Sequence, residues 1–410
     1  MIGKNRVVIT GIGVLAANGI GKDAFWETLL AGESGIGPIT LFDASEIPWK
    51  LAGELTGFNV ANHIGKQLKP KRENRSTQLV AVAAKMAMED ADLDNSTLSD
   101  ASPVLVTIGT TLGGLDLVET HNRRLESKGM DKGLVSVSYC LHIKGPSVIS
   151  SLLNVPTKIG ALSNSCTGGL DAIASAYAAL QRGEAEIAFA GGTDAVIIPS
   201  VVTGLGFAGL LSTASDMPDK ASRPFDLLRT GGILGEGAGV LALETLEHAR
   251  ARGAEPYAEI IGYNSTCDYV HGQKYGFEQS MRGCLSNAGC MPKDVSYINA
   301  HGSSDVALDQ METDAIKATF GSHAYDIPIT SIKAVTGNPL AAGGAIQTIS
   351  TCLSCAHDTV PPTANLEAPD PSCDLDYVPK KARKQVLGVS LINSRGIGGV
   401  NSSLLVRNCR

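Results

Sequence analysis

Residues 161–177, Ala-Leu-Ser-Asn-Ser-Cys-Thr-Gly-Gly-Leu-Asp-Ala-Ile-Ala-Ser-Ala-Tyr, reach a cysteine from an apolar run, turn on small residues and continue with helical periodicity. That succession is a strand, a tight turn and a helix start, with Cys166 on the turn. Residues 186–193, Glu-Ile-Ala-Phe-Ala-Gly-Gly-Thr, then read as a further strand. Strand, helix and strand in that order argue an α/β sheet with parallel strands and a right-handed crossover. At the turn, the free N–H groups of the helix start and the positive dipole end point at the sulfur, which favours thiolate over thiol. A nucleophile is one reading of this stretch and a buried structural cysteine is the other. Gly168 and Gly169 favour the first, because each weakens a helix start by roughly 1 kcal/mol unless backbone must approach something closely.

The remaining composition narrows what Cys166 could serve. With 410 residues, 43% of them apolar, 18% charged and 46 glycines, the chain is a globular α/β protein rich in tight turns, large enough for two halves. A net charge of -7 gives no basic face for nucleic acid. The nine cysteines follow no repeated spacing and the first ten residues have no signal-peptide plan, so reduced thiols in a cytoplasm are expected. Cys352 and Cys355 form a C-x-x-C on the apolar face of an expected helix, without a second pair at zinc spacing, and read as core cysteines. No charge occurs from Ala195 to Ser215, but Pro199 and glycines 204, 206 and 209 make a buried irregular segment the better reading than a membrane span.

Along the chain, Arg6–Thr10 reads as a buried strand running into Gly11-Ile-Gly13-Val-Leu-Ala16, a weak match to a dinucleotide-binding fingerprint. The helix and the acidic residue that such a unit needs are missing, since Glu33 lies in a loop. Helices are expected at Ala24–Leu30 and Ser76–Met88, and residues 103–114 form a strand opening onto a small-residue turn that contains Thr110. In the second half, Val295–Ala300 is a strand delivering His301. Asp309–Phe320 is a helix with Glu312 in its first turn, and Ile329–Ile332 is a short strand delivering Lys333. Residues 336–346, with Asn338 near their start, open another helix much as the Cys166 turn does. Two halves, 1–253 and 254–410, each presenting reactive residues at strand-to-helix turns, indicate a duplicated α/β unit with one cleft between them.

Six motifs now stand in order: residues 109–114, Gly-Thr-Thr-Leu-Gly-Gly; the Cys166 turn; Arg223-Pro-Phe-Asp226 with Leu234-Gly-Glu-Gly-Ala-Gly239; Tyr297-Ile-Asn-Ala-His301-Gly; Ser331-Ile-Lys333-Ala-Val-Thr-Gly; and Asn393-Ser-Arg-Gly-Ile-Gly-Gly399. Over essentially its whole length the chain resembles the elongating β-ketoacyl-acyl carrier protein synthases of fatty acid and type II polyketide synthesis. The resemblance implies the thiolase fold, two similar halves in five α-β-α-β-α layers. It implies that Cys166 takes an acyl group from a carrier thioester, with its own N–H and that of Ile397 as oxyanion hole. His301 would hydrogen-bond the extender carbonyl, and Lys333 and Glu312 would be a buried pair that orders the site. Arg395, Ile397 and Thr110 would line the substrate pocket and its gate. The resemblance calls for no cofactor and no metal, an acyl carrier protein as partner, and a homodimer or a heterodimer with a homologous subunit, paired through the strand Glu186–Ala190.

The chain departs from that pattern at informative places. Asn338 stands where elongating members carry a second histidine, giving the Cys-His-Asn set of initiating synthases and the chalcone-synthase group. An amide still donates to a carbonyl but cannot titrate near neutral pH. His301 is therefore expected to be the one titrating imidazole of the site; His63, His121, His142, His248, His271, His323 and His357 lie in unrelated contexts. Arg395 and Ile397 replace two phenylalanines, and Ser303-Ser-Asp305 replaces Thr-Ser-Thr, which points to a specialised pathway. The thioester could be borne by a carrier protein or by coenzyme A, and two other readings stay open: non-decarboxylating or cyclising condensation of β-ketoacyl thioesters, and a non-catalytic partner subunit, although such subunits typically lose the cysteine.

Overall fold

The computed structural model describes residues 5–65, 73–101, 103–128, 137–268 and 276–410; His271 lies outside them. Among the described residues, ten strands form the continuous path of the main sheet: β1 (Val7–Ala16), β2 (Val104–Gly109), β3 (Thr157–Leu162), β4 (Ile187–Asp194), β5 (Gly237–Thr245), β6 (Ala258–Cys267), β7 (Val295–Asn299), β8 (Ile329–Thr330), β9 (Val389–Arg395) and β10 (Val400–Asn408). Their hydrogen-bonded order is β3-β2-β4-β5-β1 for the first five and β8-β7-β9-β10-β6 for the second five. In each set the first two pairings are parallel and the last two antiparallel, so each half has the same mixed topology. Within the sheet the halves join through three residue pairs, Val7–Ile9 against Ile260–Ala258.

Six helices cover these sheets: α1 (Arg75–Asp90), α2 (Lys144–Leu153), α3 (Gly168–Gln181), α4 (Gly276–Ala288), α5 (Val306–Phe320) and α6 (Ala342–His357). α3 and α6 pack on each other and on strands of both halves, whereas α1 and α2 cover the outer face of the first half and α4 lies outside the second, with α5 beside it. Hence five layers, α-β-α-β-α. The central layer is apolar on all sides, with Leu170, Ile173 and Leu180 of α3 and Ile346, Ile349 and Cys352 of α6 in one core cluster with Leu241, Leu243, Ile392 and Leu404 of the sheets. A helix buried all round reads as apolar all round, and both cysteines of the C-x-x-C sit there as core residues.

Gly11 and Gly13 lie inside β1, which runs on to Ala16, and not in a loop after a strand ending at Thr10. A Cβ on Gly13 would stand 1.9 Å from the Ala83 carbonyl oxygen, and one on Gly11 2.3 Å from that of Ala87. The two glycines therefore let α1 lie close on the strand, and their spacing has nothing to do with a dinucleotide. Residues 195–215 contain a helix from Pro199 to Phe207, and no helix among the described residues is long and apolar enough to cross a membrane.

The strand expected to pair subunits is also corrected. β4 is hydrogen-bonded on both sides, to β2 and to β5, and offers no edge. Among the described residues the free edge of the first half is β3, where Lys158, Ile159 and Ala161 are exposed.

Candidate active site

The nucleophile turn is built by a chain reversal between β3 and α3. Ser165 adopts a left-handed backbone, φ 56°, which costs a non-glycine residue about 1–3 kcal/mol and persists only where surroundings impose it. Asp171, in the first turn of α3, supplies that constraint. Its carboxylate accepts hydrogen bonds from Asn164 Nδ2 and Thr167 Oγ1, each 2.9 Å, and from Tyr263 and Ser402 of the second half. Gly169 then lets the start of α6 approach, because a Cβ there would meet the Ala341 carbonyl oxygen at 2.2 Å.

Cys166 is 4% exposed and lines a cavity of about 270 Å³, together with His301, Ser303, Asn338, Arg395 and the loop 396–399. The remaining wall is largely leucine: Leu205, Leu210, Leu211, Leu234, Leu308 and Leu340. The cavity thus joins a sulfur, an imidazole and an amide inside an apolar sleeve. Burial pushes the Cys166 thiol up, contrary to the expectation from the helix dipole alone; Ser165, Lys333 and the Ile397 N–H pull it down, and Asp194 pushes it up.

His301 is delivered by β7 and is 3% exposed. Its Nδ1 accepts the Arg395 N–H at 3.2 Å, so the neutral ring carries its proton on Nε2. Burial, with Lys333 and Arg395 as like charges, lowers its pKa well below the ordinary histidine value. His301 is therefore a fixed neutral donor at physiological pH, not the titrating group expected from sequence.

Lys333 and Glu312 do not form an ion pair. Glu312 accepts the backbone N–H groups of His301 (2.9 Å) and Gly302 (2.8 Å), while Lys333 Nζ donates to the His301 carbonyl and to Gln347 Oε1. The two charges hold the His301 backbone from both of its sides. Burial raises the Glu312 carboxyl and lowers the Lys333 ammonium to about 8, against the pull of Glu312. α5 begins at Val306, which puts Glu312 in its second turn, and Asp309 takes the first.

The gate residues divide. Ile397 is 52% exposed at the mouth, and its N–H donates to Ser165 Oγ at 3.0 Å. The Arg395 guanidinium is bound by Asp268 and Asn401 and lies over the Phe277 ring. Thr110 is not among the residues lining the cavity; its hydroxyl donates to Asp194 at 2.9 Å and accepts the Gly113 N–H, which shapes the 110–114 turn.

Four contributors had no signal in the sequence. Asp194 ties the 110–112 turn to the start of α6 through Thr110, Thr111, Leu112 and Ala341. Asp171 braces the nucleophile turn. Asp309, fully buried and pushed up to about 7 by that burial, accepts the Ser303 N–H beside the cavity. Gln347 bridges Lys333 to the backbones of Ala300 and Asn393. Asp194 and Gln347 act on partners distant in sequence, whereas Asp171 and Asp309 also brace the turns a few residues before them, contacts that hydrophobic periodicity does not record.

A thiol on a strained strand-to-helix turn, a neutral imidazole and an amide in one apolar cavity between two duplicated halves define an acyl-transfer enzyme of the thiolase fold. Residues 4–249 match the family model described as Beta-ketoacyl synthase, N-terminal domain, and residues 257–367 match Beta-ketoacyl synthase, C-terminal domain. The chain is 40% identical to a 3-oxoacyl-[acyl-carrier-protein] synthase 2 of Synechocystis sp., over 98% of this chain and 97% of that protein. It is 39% identical to the same-named protein of Coxiella burnetii, over 98% of both. Among solved structures, the ishigamide ketosynthase/chain length factor superposes with a TM-score of 0.93 at 30% identity, covering 99% of this chain and 100% of that one. A type II PKS acyl-carrier protein in complex with its ketosynthase bound to the hexaketide gives 0.90 at 31%, covering 98% and 99%. The chain belongs to the β-ketoacyl synthase family and is a carbon–carbon bond-forming acyltransferase.

Proposed function

We infer that this enzyme joins an acyl group held on Cys166 to a malonyl-type extender carried by an acyl carrier protein, in the division of labour that its side chains support. Cys166 Sγ attacks the acyl thioester and the carrier thiol leaves. The extender then loses carbon dioxide, its enolate carbon attacks the acyl carbonyl, and the Cys166 sulfur departs with the bonding electrons. The Cys166 and Ile397 N–H groups stabilise the oxyanion at the acyl carbonyl. Each such donor is typically worth about 3–4 kcal/mol on the barrier. His301 Nε2–H and the Asn338 amide donate to the extender carbonyl oxygen as charge builds there. Lys333 and Glu312 position His301 through its backbone. Arg395 fixes its tautomer through the main-chain N–H, and Ile397 gates the mouth.

The observation that carries this reading is the His301 tautomer, set by an acceptor Nδ1 at 3.2 Å from the Arg395 N–H in the cavity that Cys166 and Asn338 share. A test follows from its depressed pKa. A lowered histidine pKa means that the neutral donor persists down through the ordinary value near 6.5, so acidification in that range protonates little of it. Preformed acyl-enzyme mixed with malonyl carrier protein should give the 3-oxoacyl product at a rate that is flat between pH 7.5 and pH 6. A fall centred near 6.5, or no condensed product, contradicts the assignment.

The division into halves at 1–253 and 254–410 follows the repeated strand order, and the setting is a cytoplasm. The leucine-lined cavity, with Asn338, Arg395 and Ile397 where the chain departs from the family pattern, supports a specialised pathway. The partner subunit is a second copy or a homologous chain laid along β3. An unpaired edge bearing an exposed apolar residue is a template for strand addition, and Ile159 is 41% exposed. The protein should be dimeric at micromolar concentration by light scattering, and Ile159→Lys should shift it toward monomer. A monomeric wild type, or a variant that dimerises as well as wild type, contradicts pairing through this edge.

A further inference from the structure

We propose that the Ser165 hydroxyl is a positioning group for Cys166: it donates to the sulfur while it accepts the Ile397 N–H, and so it holds the thiolate until the substrate oxygen claims that N–H. The inference rests on Cys166 being the nucleophile and adds a residue that none of the motifs above assigns.

Two contacts fix the hydroxyl. Ile397 N donates to Ser165 Oγ at 3.0 Å, and Ser165 Oγ in turn lies 3.8 Å from Cys166 Sγ, within the longer reach of hydrogen bonds to sulfur. A hydroxyl has one proton and two lone pairs. With a lone pair taken by an N–H, its proton is free for the sulfur, and the first bond polarises the second. The side chain has little freedom to do otherwise. Its backbone sits at φ 56°, and the opposite wall is Gly396, where a Cβ would come within 2.9 Å of Ser165 Cβ and 3.2 Å of its Oγ. Gly396 therefore leaves space for this hydroxyl between loop 396–399 and the nucleophile.

The arrangement answers a problem that burial creates. Cys166 is shut in an apolar cavity that favours the neutral thiol, and the charged groups around it offset one another in part. Asp194, on β4, opposes the thiolate, and Lys333, after β8, favours it. His301 of the β7 end is neutral, and the Arg395 charge on β9 is spent on Asp268. A neutral donor at the sulfur lowers the thiol pKa without a further buried charge. The same hydroxyl occupies the Ile397 N–H, one of the two oxyanion donors. As electrons pass from sulfur to the acyl oxygen, the sulfur no longer needs its donor and the oxygen does, so release of Ile397 coincides with the step that uses it.

The test is the pH dependence of carbamidomethylation at Cys166, read by peptide mapping with iodoacetamide so that the exposed Cys267 and Cys409 do not contribute. Ser165→Ala removes the hydroxyl. Its profile should move up by about one pH unit, with roughly tenfold slower modification below the midpoint. Ser165→Gly also relieves the left-handed backbone, so it folds at least as readily, and should show the same upward shift. A merely structural serine would alter thermal stability and leave the profile in place. An unchanged profile in a folded variant overturns the proposal. Alkylation requires no acyl substrate, so this result is independent of whether wild-type Cys166 is acylated by thioesters, which is measured alongside.

Discussion

Asn338→Ala leaves acylation of Cys166 near the wild-type rate and slows condensation about a hundredfold or more, the usual loss when a preorganised transition-state donor is removed. The backbone of this residue is pinned. Its N–H donates to the Ile233 carbonyl at 2.7 Å, and its own carbonyl accepts the Gly235 N–H at 2.9 Å. The side chain therefore projects into the cavity from a rigid base, which is what preorganisation requires. Among the described residues its amide oxygen is buried without a hydrogen-bond partner. An orphaned buried polar atom costs about 1–3 kcal/mol, so the residue is not there for stability, and the alanine variant should fold as well as wild type. Acyl-enzyme formation and product release, followed separately by quenched single-turnover experiments, distinguish the two half-reactions. Asn338→His, which restores a donor, should recover part of the condensation rate. Unchanged condensation in the alanine variant would make Asn338 structural and bring forward condensation without decarboxylation or a partner-subunit role.

The parts of this site that were legible in the sequence share one property: they sit where a strand hands the chain to a turn. Cys166 could be placed because an apolar run, a small-residue turn and a helical period follow each other within seventeen residues. His301 and Lys333 could be placed because short strands end just before them. What the sequence did not disclose depends on neighbours far along the chain. Gly11 and Gly13 imitate a nucleotide loop until α1 is seen lying 1.9 Å from a would-be Cβ. The strand 187–194 looks like any edge strand until both of its flanks prove occupied, and β3, the true edge, is the strand that carries the nucleophile turn. The family resemblance casts Lys333 and Glu312 as a buried pair. Folding instead points each at a different backbone group around His301. The helix dipole argument for a thiolate was sound in sign but lost to desolvation, because a cysteine 4% exposed in a leucine-lined cavity favours the neutral form. Ser165, adjacent to the nucleophile, gave no signal at all, since its role is defined by Ile397, 232 residues away.

The same reasoning sets the largest effect of all. Of nine cysteines, Cys166 is the one on a strained turn facing a neutral imidazole and an amide, and Cys166→Ala should abolish acyl transfer while leaving the fold intact, because the change trims a single sulfur from a side chain that already borders a cavity. Cys267 and Cys409 are more exposed and would dominate any reaction governed by access alone. The most direct measurement is intact-mass analysis of the protein after incubation with a panel of acyl-carrier thioesters, followed by peptide mapping of the adduct. One acyl group per chain, located on Cys166 and lost in Cys166→Ala, is the predicted result; an adduct on Cys140 or Cys267 with Cys166 untouched would contradict it.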